Sequence, residues 1–89
     1  MENEICRARK LIVAENLKRL IRENGNIRTV QNFAKFHGSD IRTVKRWRKS
    51  GVDSISTIEE IAKTLGASPF ELIMTRDEYL SWNAQKKPD

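Results

Sequence analysis

Residues 30–49 read VQNFAKFHGSDIRTVKRWRK, and this stretch decides the fold. Gly38 divides it into two segments, and in the first Val30, Phe33 and Ala34 recur at the three- and four-residue intervals of a helix. A glycine just past the end of a helix takes the left-handed conformation that closes it, without a steric penalty at Cβ. The pattern therefore predicts two short helices joined by a tight turn.

The second of these helices has two chemically different faces. At 100° per residue, four of its five basic side chains fall together, and Val44 and Trp47 fall on the opposite side. We expect the apolar side to pack against the core and the basic side to face outward. The basic residues on this outward side are Arg42, Lys45, Arg46 and Lys49.

The rest of the chain also shows helical spacing, with no sustained alternation that would predict strands. The candidate N-caps are Asn26 or Thr29 for the second helix, Ser39 or Asp40 for the third, Ser54 for the fourth and Ser68 for the fifth. The expected fold class is all-α, a compact bundle of five short helices, or six if the C-terminal extension adds one.

Size and charge narrow the class of protein. The chain has 89 residues and a mass of 10.3 kDa, which suits one small domain and excludes a multidomain enzyme. Its net charge is +5 and its pI is about 9.7, which favours nucleic acid or an anionic membrane as partner. Seven basic and one acidic residue lie in 28–51, whereas two basic and six acidic residues lie in 52–80. The positive charge is thus concentrated around the two short helices.

Two helices joined by a glycine turn, the second with a basic face, form a helix-turn-helix whose second helix can enter a DNA major groove. Residues 30–49 resemble the helix-turn-helix of the phage Cro and repressor proteins and their bacterial XRE-type relatives, with matching residues at Ala34, Gly38, Val44 and Trp47. The resemblance continues through 55–73, ISTIEEIAKTLGASPFELI, where an apolar helix is followed by Leu-Gly and a capped start.

The resemblance implies a lambda-repressor-like DNA-binding domain over residues 11–73. Outside it lie a lead at 1–10 and a C-terminal extension at 74–89, which we expect to form a short helix and then a disordered tail. It implies a cytoplasmic phage or bacterial transcriptional regulator, in the first place a repressor, that binds a specific sequence of double-stranded DNA. The residues that it places at base edges are Asp40, Ile41, Arg42, Lys45 and Arg46. Those that it places at phosphates are Thr29, Gln31, Lys49 and Ser50.

Some positions depart from the family pattern. Val30 stands where glutamine is common, and Arg48 stands where an acidic residue is common. His37 occupies a usually apolar position, so we expect Phe36 to replace it in the packing of the turn. One imidazole without partners is not a metal or catalytic site, and we expect His37 to pack or face solvent rather than contact a phosphate.

Three other classes of function fit the sequence less well. An enzyme is disfavoured because the sequence has no glycine-rich phosphate loop, no metal-ligand spacing and no nucleophile with an identifiable base, so no catalytic residue, cofactor or metal is expected. A membrane-surface role is disfavoured because Val44 and Trp47 are needed for the core. The main alternative is an antitoxin or protein-docking module whose basic face meets an acidic partner. The lone Cys6 is expected to be an incidental thiol.

The C-terminal extension carries its own signals. Thr75 and Glu78 have capping-box spacing, and Tyr79, Leu80 and Trp82 form an apolar group. Either this segment folds back on the first helix of its own chain, or it joins the fifth helix, around residues 70–73, in a two-fold dimer contact. On DNA the dimer contact is favoured, and a homodimer is expected there.

Overall fold

The computed structural model describes residues 7–86, and within them the chain is all-helical, which confirms the expected fold class with six helices. Residues 7–10, assigned above to the lead, already belong to the first helix. Cys6 and the final residues of the expected tail, 87–89, lie outside the described residues. The helices are α1 Arg7–Glu23, α2 Val30–His37, α3 Ile41–Ser50, α4 Ile55–Leu65, α5 Pro69–Ile73 and α6 Arg76–Lys86.

Side-chain caps fix where the helices begin. The hydroxyl of Thr29 accepts the N–H of Asn32 at 3.1 Å, and the carboxylate of Asp40 accepts the N–H of Arg42 at 3.2 Å, so these two residues are the caps among the candidates. Capping replaces hydrogen bonds that the first helical turn cannot make internally. The same role belongs to Ser54 in α4 and Ser68 in α5, and Ser68 also forms a capping box with Glu71.

The core lies where α1 meets α3 and α5 and where α4 closes the bundle. Burying one aliphatic or aromatic side chain contributes about 1.5 to 3 kcal/mol, so these few residues supply most of the driving force for folding. The largest fully buried side chains are Val13 and Leu17 in α1, Phe33 in α2, Val44 in α3, Ile58 and Ile61 in α4, and Leu72 in α5.

The C-terminal extension folds back on its own chain. Arg9 of α1 donates two hydrogen bonds to the carboxylate of Glu78, one of them 2.9 Å long, and a third to the carbonyl of Ile73 at 3.2 Å. The bonds from Arg9, together with the backbone N–H of Thr75, lower the pKa of Glu78 to about 2. The rings of Phe70 and Trp82 lie 4.9 Å apart and join α5 to α6.

Within the described part of the chain, no helix is long and apolar enough to cross a membrane.

Candidate nucleic-acid interface

The turn between α2 and α3 has the geometry that the glycine predicts. Gly38 has a φ of 79° and ends α2 in the left-handed conformation. The carbonyl of Ala34 accepts the N–H groups of both Gly38, at 2.9 Å, and Ser39, at 3.0 Å. Ala34 itself is buried. Because the closing hydrogen bonds leave little freedom to the turn, the direction of α3 relative to α2 is set by the backbone.

Packing sets the rotation of α3 about its axis. Val44 is fully buried, and Trp47 is half-buried and packs against the core. With these residues inward, the opposite face of the helix points to solvent. On that face Arg42, Lys45, Arg46 and Lys49 are all exposed. The structure therefore brings together the four basic residues that the sequence placed on one side of this helix.

Asp40 and Arg42 interact at the start of α3. Besides capping the helix, the carboxylate of Asp40 lies 4.0 Å from the Nε of Arg42, whose side chain is 90% exposed. An ion pair this exposed contributes at most about 1 kcal/mol. The guanidinium of Arg42 can therefore leave Asp40 for a stronger acceptor at little energetic cost.

The remaining residues assigned to DNA differ in accessibility. Gln31 and Ser50 are exposed, and so is Thr29, whose hydroxyl is already used as the cap of α2. Ile41 is only half-exposed, because part of its side chain packs against the core. By helical register, Ile41 lies next to the basic face of α3, so the exposed part of its side chain borders that face.

His37, rather than Phe36, fills the space behind the turn. Its ring stacks on Phe33 at 5.3 Å and meets Trp47 edge-on at 5.7 Å, and its Nδ1 lies 2.6 Å from the hydroxyl of Thr64. Phe36 is 63% exposed, so the expectation that it packs in this place is wrong. Neighbouring positions on a helix point about 100° apart, and only position 37 faces α4 and α3.

A second group of cations was not predicted. It lies around an open pocket between α1, the loop before α2, and α3, and it consists of Lys18, Arg22, Arg28 and Arg48. In the sequence, Arg48 stands out only as a departure from a family pattern. The helical register could have indicated part of this group, because Lys18 and Arg22 are four residues apart and share one face of α1.

Within residues 7–86, no group of three or more histidine, cysteine or acidic side chains is placed to hold a metal ion.

No protein-family model matches the chain, and no curated protein matches it. The chain is similar to the crystal structure of a hypothetical transcription factor, NHTF, from Neisseria. The TM-score is 0.69 at 23% sequence identity, and the match covers 92% of this chain and 94% of that chain. The two chains share a fold. At this identity the similarity concerns the fold alone.

Proposed function

We propose that this chain is a transcriptional regulator of the XRE type that binds a specific sequence of double-stranded DNA by inserting α3 into the major groove. Its expected action is repression. The observation that carries the proposal is the orientation of α3, with Val44 fully buried and a continuous basic face exposed. The similarity to a hypothetical transcription factor supports it at the level of fold.

The residues of this interface have different roles in the proposal. Arginine and lysine on a helix in the major groove can donate to guanine O6 and N7, and the exposed edge of Ile41 can contact a thymine methyl group. Phosphate contacts carry no sequence information but fix the position of the protein on the duplex. We assign base contacts to Asp40, Ile41, Arg42, Lys45 and Arg46, and phosphate contacts to Thr29, Gln31, Lys49 and Ser50.

The first prediction separates base reading from charge. Replacing Arg42 or Arg46 by alanine should weaken binding to the preferred site by about 1 to 3 kcal/mol and relax the preference at one base pair. Replacing Lys49 by alanine should instead weaken all duplexes alike and reduce the slope of log K against log salt by about 0.9. Binding is measured by fluorescence anisotropy at several salt concentrations, on duplexes recovered by selection from random DNA.

Lys63→Ala is the matched control for this experiment, because Lys63 is an exposed cation on α4, outside the proposed interface. It should leave both the preference and the salt slope nearly unchanged. If Arg42→Ala and Arg46→Ala reduced the affinity for every DNA sequence equally, the base-reading roles would be contradicted. Absence of duplex binding together with capture of an acidic protein would favour the docking-module alternative.

We also propose that two copies bind DNA as a homodimer. Phe70 on α5 and Leu80 on α6 remain 45% and 53% exposed after α6 has folded back on its own chain. Contiguous exposed apolar patches are typical of protein contact sites, and in this proposal Phe70 and Leu80 belong to one. Two-fold partners would read half-sites one helical turn, about 34 Å, apart.

A lysine in place of Leu80 tests the dimer. The side chain is exposed, so the monomer should fold normally, whereas a charge at the centre of an apolar contact should prevent association. Sedimentation velocity is expected to show two protomers per palindromic duplex for the original chain and one for Leu80→Lys. Strong binding of the original chain as one protomer on a non-palindromic site would contradict the dimer.

A further inference from the structure

The unpredicted cations surround a pocket of about 290 Å³. Lys18 and Arg22 extend from α1, Arg28 from the loop before α2, and Arg48 from α3, while Ile21 and Val30 contribute apolar surface. The loop directly follows α1, but Arg48 lies twenty residues beyond Arg28 and is brought to the other cations by the packing of α1 against α3. The pocket is therefore a product of the tertiary fold and not of a local run of basic residues.

The charges of this pocket are largely uncompensated. Lys18 has a carboxylate partner, Glu15, at 3.5 Å on its own helix. Among the described residues, no acidic side chain lies within ion-pair distance of Arg22, Arg28 or Arg48. Like charges gathered around one depression repel each other, and an anion that enters it relieves the repulsion and gains hydrogen bonds to charged donors.

The backbone at Arg28 gives an independent reason to assign a role to this residue. Arg28 has a φ of 63°, the one positive value at a non-glycine residue in the described chain. This conformation costs a side-chain-bearing residue about 1 to 2 kcal/mol, and glycine or asparagine would avoid most of it. Local strain of this kind often occurs where a side chain must be presented in a fixed direction.

The loop that holds Arg28 is braced on both sides. The side-chain oxygen of Asn24 accepts the N–H groups of Asn26, at 2.9 Å, and Ile27, at 3.1 Å. The amide of Asn32 donates to the carbonyl of Ile27 at 2.8 Å. These bonds fix the backbone around Arg28, and its exposed side chain lines the pocket without a hydrogen bond or ion pair to another described residue.

We infer that this pocket binds a phosphate group of the DNA backbone, outside the segment of duplex that α3 reads. The assignment rests on the proposed function. It is supported by continuity, because Thr29, which also lines the pocket, is the cap of α2 and a proposed phosphate contact. The N–H groups of the first turn of α2 add a partial positive charge at the same place.

The test uses the double variant Arg28→Gly and Arg48→Gln in the full chain. Glycine accepts the backbone conformation at position 28 without strain, and glutamine keeps part of the side-chain stem at position 48. Loss of one phosphate contact should lower the slope of log K against log salt by about 0.9. Affinity should fall about tenfold, by the same factor on the preferred site and on random duplex.

Two further variants make this result specific. Arg48→Lys keeps the charge and should retain most of the salt slope, and Lys63→Gln removes a distant exposed cation and should change it little. Circular dichroism establishes that each variant is folded. A double variant with the slope and affinity of the original chain would overturn the inference while leaving the proposed DNA binding intact.

A separate measurement distinguishes backbone phosphate from free phosphate. Inorganic phosphate is titrated into the isotope-labelled chain, and the amide signals of Arg28 and its neighbours are followed by NMR. Weak binding that the double variant loses, together with the reduced salt slope on DNA, supports the inference. Binding of inorganic phosphate with no change in the DNA salt slope assigns the pocket to a free phosphate compound and overturns the backbone contact.

Discussion

Gly51→Ala is expected to destabilise the domain by at least about 3 kcal/mol, which for a chain of this size removes most of the folding stability. Gly51 follows α3 with a φ of 85° and a ψ of −176°, a region open almost exclusively to glycine. A Cβ at this position would lie 1.9 Å from the carbonyl oxygen of Lys10 in α1. Backbone atoms cannot rotate away, so α1 and α3 would have to separate.

Gly38→Ala is the matched control for this prediction. Gly38 also has a positive φ, 79°, but a Cβ there would meet no atom within 4 Å. The stability lost in Gly38→Ala should therefore reflect the backbone conformation alone and amount to about 1 kcal/mol. Urea denaturation followed by circular dichroism gives both values. Equal losses at the two positions would show that α1 and α3 are not in close contact at Gly51 in solution.

The two glycines also show how far the sequence can predict this fold. In the sequence each of them follows a segment of helical spacing, and a glycine in that place is a local signal for the end of a helix. The contact of Gly51 with Lys10 depends on residues forty-one positions apart and on how two helices cross, and no local pattern encodes it. Helix existence, order and caps were accordingly predictable, whereas the close approach of α1 and α3 was not.

In the candidate site, too, the features that lie on one helix were predictable and those that depend on tertiary packing were not. The basic face of α3 was predicted from helical register, because its four residues all belong to the same helix and their spacing alone places them on one side. The pocket at Arg28 and Arg48 was missed because its residues come from three separate elements. The packing of His37 in place of Phe36 was also missed, since it depends on where α4 places the hydroxyl of Thr64.

Asn16 is the second residue whose replacement should have a large effect. It is a buried polar residue on α1, only 5% exposed. Its side-chain amide donates to two backbone carbonyls at the end of α5, those of Leu72 at 2.8 Å and Met74 at 2.6 Å. Because α5 has five residues and too few internal hydrogen bonds to be stable alone, this side chain holds the end of α5 against α1.

Asn16→Leu is expected to cost about 2 to 4 kcal/mol. Leucine fills a similar volume but donates no hydrogen bond, so the carbonyl of Leu72 would remain buried without a partner, and a buried polar group left unpaired is more costly than a lost surface hydrogen bond. The same change at the exposed Asn83 of α6 is the control and should alter stability by no more than about 0.5 kcal/mol.

Hydrogen exchange should also show where in the structure the stability is lost, because amides of α5 and α6 should exchange faster than those of α2 and α3 in Asn16→Leu. A uniform increase in exchange across all helices, or a loss no larger than in Asn83→Leu, would contradict the role of Asn16 as the residue that joins α5 to α1.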